Sequence, residues 1–396
     1  MSHPREVVVL SACRTAIGTF GGSFKDVPVS DLATAAFKEA ITRSKIDPAA
    51  FGHVVVGHVV HNDPKDAYLS RVAALNAGLP KEVCAMNVNR LCGSGLQAIV
   101  SASQSILLGD TDFAIGAGAE NMSRTPMWMP AARWGTRMGD AKVVDPMMGA
   151  LHDPFQTIHM GVTAENVATQ CGITREQQDA LAVESHRRAA AAIAAGYFKE
   201  QIVPFELKSK KGPVQFVTDE HVRADASIED MAKLKPVFLK ENGTVTAGNA
   251  SGINDAAAAV VLADIHAAEK AGAKPMARLV AYAHAGVEPR TMGLGPVPAT
   301  KHALAKAGLT LAHMDVIESN EAFAAQALGV AKELGFDAAK TNPNGSGISL
   351  GHPIGATGCI LTVKAIYELH RTGGKYALVT MCIGGGQGIA AIFERM

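Results

Sequence analysis

The chain is predicted to be an α/β protein of two like halves, with an irregular excursion set into the first. Three observations predict this. Short apolar runs alternate with helix-length Ala- and Leu-rich segments at both ends of the 396-residue sequence. The same order of elements occurs twice. Between the two copies, from about Asn121 to Asn249, the periodic texture is lost.

In the first third, Val7–Leu10 reads as a strand and Ser30–Arg43 as a helix with Ser30 as its N-cap. Val54–Val60 is a second strand, Tyr68–Ala77 a second helix and Val83–Val88 a third strand. A tight turn around Cys92 leads into the helix Leu96–Leu108, which contains no Gly or Pro, and then into the strand Phe113–Gly118. The excursion opens on Met122–Met148, a stretch rich in Met, Trp and Pro that suits a lid or a subunit contact. Glu176–Gly196 follows as an amphipathic helix and Gln201–Phe216 as a hairpin. Past Ala273 the first pattern returns: helix Ala299–Gly308, strand Asp315–Ser319, glycine-rich turn Gly345–Pro353, helix Thr357–Leu369 and strand Tyr376–Met381. The duplication places Cys92 and His352 at equivalent turns, whose helix starts would face one another across a shared cleft.

Composition narrows the function. Lys plus Arg and Asp plus Glu are both 37, so nothing marks nucleic acid or an anionic membrane as a partner. The six cysteines form no C-x-x-C pair, and no His stands at zinc spacing, so neither a disulfide framework nor a metal site is expected. The first strand begins at once and no apolar run reaches the ~20 residues of a membrane span. A cytoplasmic chain is the expectation.

The chemistry-bearing residues stand at strand ends beside glycines. In Leu91-Cys92-Gly93-Ser94-Gly95, the thiol lies at a helix start, where free N–H groups and the dipole favour thiolate, and the two glycines are expected to let the backbone bend. Asn320-Glu321-Ala322-Phe323 follows a strand, and Gly351-His352-Pro353-Ile354-Gly355 fills the duplicated turn. Cys382-Ile383-Gly384-Gly385-Gly386-Gln387-Gly388 ends the penultimate strand, too close to the C-terminus to be a dinucleotide loop. Together they fit one chemistry. Cys92 is a nucleophile, His352 its base, and Cys382 a second base for a carbon acid. Asn320, His352 and glycine-turn N–H groups are candidate oxyanion donors.

These motifs resemble the signatures of the thiolases, and among them the biosynthetic β-ketothiolases of polyhydroxyalkanoate-storing bacteria; the resemblance runs from Val7 to the end of the chain. It implies an αβαβα sandwich. Residues 1–121, completed by 250–272, form the N-terminal half, 122–249 a loop domain with tetramerisation and CoA-binding segments, and 273–396 the C-terminal half. It implies reversible Claisen condensation of acetyl-CoA with a short acyl-CoA, ping-pong through an acyl-cysteine, without metal or redox cofactor; coenzyme A is substrate and product. Cys92 is the implied acyl acceptor, His352 its activator and Cys382 the acid/base. Asn320 holds a water of one oxyanion hole, and the N–H groups of Cys92 and Gly384 form the other. Arg223 resembles the residue packed on the adenine and Ser251 a pantetheine contact; Leu151, His159 and Met160 resemble pocket lining, with Met292 as a further flexible wall. A serine that some relatives place near CoA is Asp230 here. The implied assembly is a homotetramer of tight dimers, through Met122–Asp145. Two other readings use related residues: a degradative 3-ketoacyl-CoA thiolase, and a ketosynthase, which would lack the second cysteine.

Overall fold

The computed structural model describes residues 5–208 and 212–396. Nine strands carry the fold: β1 (Val7–Thr15), β2 (Phe51–Gly57), β3 (Cys84–Val88), β4 (Phe113–Asn121), β5 (Asn254–Asp264), β6 (Ala277–Gly286), β7 (Val316–Ser319), β8 (Tyr376–Ile383) and β9 (Gln387–Arg395). They lie in the order β7-β8-β9-β6-β1-β5-β4-β2-β3. The halves meet where β1 and β6 pair through only two residue couples, Val8 with Arg278 and Val9 with Ala277.

Each half repeats one wiring. In the first, β4 pairs in parallel with β2 and antiparallel with β5; in the second, β8 does so with β7 and β9. The parallel bridge from Ile317 to Thr341 stands where β3 pairs with β2. The strands near the junction read as nearly continuous apolar runs because both of their faces are covered. Val7, Val9 and Ala12 of β1 face the core between the halves, while Val8, Leu10 and Cys13 face an outer one. A bulge between Val9 and Ser11 shifts the alternation by one.

The longer helices are α1 (Val29–Ser44), α2 (Leu69–Asn76), α3 (Ser94–Leu108), α4 (Met160–Cys171), α5 (Arg175–Ala194), α6 (Pro296–Ala307), α7 (Ala324–Leu334) and α8 (Thr357–Thr372). α1 and α2 cover the outer face of the first half, and α6 that of the second. α3 and α8 form the middle layer, completing an α/β sandwich. The span 91–108 is long and apolar enough to cross a membrane, yet α3 within it lies against α8 in the core between the halves.

Two sequence expectations change. Ser30 is not the N-cap of α1: Pro28 holds that position with no side-chain cap, and Ser30 sits inside the first turn, its carbonyl accepting from the Thr34 hydroxyl. α5 is not amphipathic in the expected sense. Its buried face is alanine interspersed with Gln178, Asp179, Ser185 and His186, each of which makes a hydrogen bond to a neighbouring segment. The expected hairpin survives as Phe205–Leu207 paired antiparallel with Val214–Phe216; its tip, 209–211, lies outside the described residues.

The excursion is tied to β1 by a buried ion pair. Arg14 meets Asp219 in a two-pronged contact at 2.7 and 2.9 Å, both side chains fully buried, and Asp219 also accepts from the Ile17 amide. Asp219→Ala would leave the guanidinium buried without its counter-charge. It should lower stability by about 3–5 kcal/mol, read as a lower urea midpoint.

Candidate active site

Four loops converge where the N-termini of α3 and α8 meet. A Cβ built on Gly95 would lie 2.8 Å from the Cys359 nitrogen, and one on Gly358 2.5 Å from that of Leu96. This reciprocal approach sets the register between halves. It aligns Ser94 with Thr357 and Cys92 with Gly355, so His352 lies three residues upstream of the true counterpart of Cys92.

The Cys92 turn bends differently from the sequence expectation. Its left-handed residue is Leu91, with φ 45°, whereas Gly93 has φ −79° and caps α3. Gly93 is small because of what packs on it: a Cβ there would meet the Ile383 side chain at 2.5 Å. The Cys92 loop is thereby seated on the Cys382–Gly384 loop of the other half. The amides of Gly384 and of Cys92 itself favour negative charge on the Cys92 sulfur.

The thiolate that the helix start favours is opposed by burial. Burial dominates and pushes the Cys92 thiol up to about 11; the two amides oppose it, and the nearby Glu120 charge adds to it. Cys382, fully buried, is pushed higher still by burial and by Cys92 beside it. Burial lowers His352 to about 4, so its imidazole is neutral near pH 7.

The tautomer of His352 follows from its partners. Thr357 Oγ1 donates to the Pro353 carbonyl at 2.9 Å and stands 2.7 Å from His352 Nδ1, so it accepts the Nδ1 proton. Nε2 is left with its lone pair, facing Asn320 Nδ2 at 3.4 Å. Asn320 Oδ1 is buried with no protein partner. The His352 amide donates to Asn254 Oδ1 at 3.0 Å, and Asn254 in turn donates to the Gly18 carbonyl.

Two adjoining cavities lead away from this point. One, of about 420 Å³, is lined by His352, Ser251, Leu151, His159, Phe238 and Phe323, among others. Ser251 is held there because its amide donates to the Ala322 carbonyl, pairing its segment with the one after Asn320. His159 stacks on Phe238 at 4.6 Å and accepts from the Gly161 amide through Nδ1; burial, then neighbouring His152, lowers it to about 4. The second cavity, of about 230 Å³, holds Arg223, Asp230, Ser227, His186 and His221, and shares Ala247, Ala250 and Gly252 with the first. Met160 lines neither; it packs with Cys382 and Met292 behind the sulfur, its methyl 3.3 Å from a Cβ on Gly384. Asp230 is paired with Lys233 and Ser227.

Comparison with known proteins matches this arrangement. Residues 7–265 match the family described as thiolase, N-terminal domain, and 273–395 that described as thiolase, C-terminal domain. The chain belongs to the thiolase family. It is 67% identical to beta-ketothiolase BktB of Cupriavidus necator, over 99% of this chain and all of that one. It is 49% identical to an acetyl-CoA acetyltransferase of Syntrophomonas wolfei, with 99% and 100% covered. Human mitochondrial 3-ketoacyl-CoA thiolase is 44% identical, with 100% and 99% covered. Among solved structures, a Bacillus anthracis acetyl-CoA acetyltransferase superposes with TM-score 0.97 at 44% identity, each chain fully covered. The human enzyme in complex with CoA gives 0.96 at 43%, covering 100% of this chain and 99% of that one.

Sequence reasoning missed Thr357, Asn254, His186, His221 and Phe238. Only Thr357 had a signal, its place at the helix start five residues after His352. Thr357→Val would free the Nδ1 proton to move to Nε2, while Thr357→Ser would not. Turnover should fall on the order of 10²-fold in the valine variant and recover in the serine one, measured as steady-state kcat.

Proposed function

We infer that this thiolase-family enzyme is an acetyl-CoA C-acyltransferase, joining acetyl-CoA to acetyl-CoA or another short acyl-CoA to give a 3-oxoacyl-CoA and CoA. The observation that supports the reading is the company of the two cysteines: Cys382 lies beside Cys92, the Gly384 and Cys92 amides favour the Cys92 thiolate, and a neutral His352 carries its proton on Nδ1 and its lone pair on Nε2. The human 3-ketoacyl-CoA thiolase shares less identity than the C. necator β-ketothiolase, which favours the biosynthetic reading over the degradative one.

In the proposed cycle Cys92 gives its proton to His352 Nε2 and attacks the acyl carbonyl. The oxyanion forms beside the amides of Cys92 and Gly384. Cys382 gives its proton to the departing CoA sulfur and becomes a thiolate. Because burial holds its pKa high, that thiolate is a strong base when the second acetyl-CoA arrives. It takes an α-proton, and the enolate is met by protonated His352 and a water held by Asn320, whose unpartnered Oδ1 supports that role. The enolate attacks the acyl-cysteine, the Cys92 thiolate leaves, and His352 returns its proton. Every group ends as it began, without a metal or redox cofactor.

CoA fits the two adjoining cavities, with Arg223 and the neutral His186 and His221 around the nucleotide and Ser251 and His159 along the pantetheine arm. Ser227, in the same cavity as Asp230, can supply the hydroxyl that Asp230 lacks. Met160 and Met292, packed with Cys382, can shift to make room for acyl groups longer than acetyl. The protein is proposed to be cytoplasmic and a homotetramer. Met127, Trp128, Met129, Trp134 and Met138 are exposed on a segment closed by the Trp128–Val144 pairing, an apolar surface suited to a second copy.

Cys92→Ala should lose both acetyl labelling and turnover. Cys382→Ser should still take an acetyl group on Cys92, located by peptide mass, yet lose condensation by about 10²–10⁴-fold and fail to exchange the α-hydrogens of acetyl-CoA with deuterated water. Normal exchange in that variant would move the carbon-acid role to His352. Separately, Trp134→Glu with Met138→Glu should convert tetramers to dimers by light scattering; an unchanged mass would remove this segment from the interface.

A further inference from the structure

Outside the residues assigned to chemistry, one buried side chain grips both halves of the site. Glu120, near the end of β4, is fully buried. Its carboxylate faces the amides of Val59 at 3.0 Å and Val60 at 3.1 Å, just after β2, and His58 Nδ1 at 3.2 Å. The same His58 nitrogen lies 3.0 Å from the Ala119 carbonyl, which it can only approach as a donor. The remaining partner comes from the other half: the Gly355 amide, at 2.9 Å, in the loop between His352 and α8. There is no slack in the contact. A Cβ on Gly355 would lie 2.4 Å from Glu120 Oε2 and 3.2 Å from the Gly57 carbonyl.

A carboxylate that served only to close the turn at Val59 and Val60 would need no partner across the junction. Its charge also has a cost here. It opposes ionisation of Cys92, and burying it demands the full set of N–H donors it has. An acceptor so placed is explained by what it holds. Gly355 lies three residues after His352 and two before Thr357, so the amide is fixed between the base and the hydroxyl that sets the base's tautomer. Asn254 fixes the His352 amide from β5, and Glu120 fixes the far end of the same loop from β4.

We propose that Glu120 is a positioning residue for acyl transfer, holding the 351–355 loop across the junction so that His352 Nε2 faces Cys92. The proposal rests on the reading of His352 as the base for Cys92. That reading fails separately, if wild-type Cys92 takes no acetyl label.

Two conservative variants separate reach from charge. Glu120→Asp keeps the charge and withdraws it by one methylene. Glu120→Gln keeps the length and an acceptor for Gly355 and Val59, and gives up only the contacts to Val60 and His58 within the first half. The readouts are the rate of Cys92 alkylation by iodoacetamide, kcat, KM for acetyl-CoA and the thermal midpoint. Glu120→Asp should slow alkylation and kcat on the order of 10²-fold with KM held within about threefold, while Glu120→Gln stays within about tenfold of wild type. The proposal is overturned if the aspartate variant matches wild type, if glutamine is the more impaired, or if both lose rate only in step with the thermal midpoint. Gly355→Ala presses on the same contact from the other side and decides the matter should neither Glu120 variant fold. Loss of kcat with KM retained supports the proposal, and wild-type kinetics overturn it.

Discussion

The structure depends on the approach of α3 to α8. At Gly95 and Gly358 the two backbones lie close enough that a single methyl on either would collide with main-chain atoms of the other. Packing this tight does not yield gradually, because a core at crystal-like density has no free volume to absorb a displaced helix. Cys92 lies two residues before α3 and His352 five before α8, so the position of both reactive groups is inherited from that one contact. A catalytic geometry spread over four loops from two halves then needs only short ties, and each is visible: Gly93 under Ile383, Asn254 on His352, Ser251 on Ala322.

The electrostatics follow from the same burial. A thiolate–imidazolium pair at rest would put two charges into a dry site, at a cost that desolvation makes large. Here both partners are neutral: the surroundings push Cys92 up and His352 down. In the proposed cycle, charge therefore appears only as the substrate carbonyl arrives, beside the two amides that favour it. Donors set for a charge that forms during reaction, and not for one present beforehand, favour the transition state over the ground state. Cys382 extends the logic, since a thiol that is reluctant to ionise becomes a strong base once it has served as an acid.

Much of this was legible in the sequence because strand ends, glycines and repeats are local features. The alternation of elements, the duplication, and the four motifs of Cys92, Asn320, His352 and Cys382 were all readable without coordinates. What failed was whatever depended on packing across the halves. Gly93 and Gly95 looked like residues that free the backbone, but both are small because another segment lies against them, and the strained turn falls on Leu91. The thiolate expected at Cys92 came from a helix-dipole argument that sees one helix and not the apolar wall around it. Asn254 lies about a hundred residues from His352 in the chain, and no pattern links them. Met160 was expected to line the pocket and instead packs with Cys382 and Met292.

The duplication also explains why there is one reaction centre and not two. In the register set by the paired glycines, Ser94 and Thr357 are counterparts and begin by doing the same thing. Each turns its hydroxyl back to a carbonyl of its own loop, Leu91 or Pro353. Thr357 then takes a second task, accepting from His352, whereas the Ser94 hydroxyl accepts from the Arg90 amide. The divergence is sharper two residues earlier. The amide of Cys92 favours negative charge on its own sulfur, while that of its counterpart Gly355 is already taken by Glu120. A free amide at a helix start can receive an oxyanion, and an occupied one cannot. The carboxylate that locks the second helix start thus withdraws it from chemistry, and leaves to it the placing of the base that serves the first.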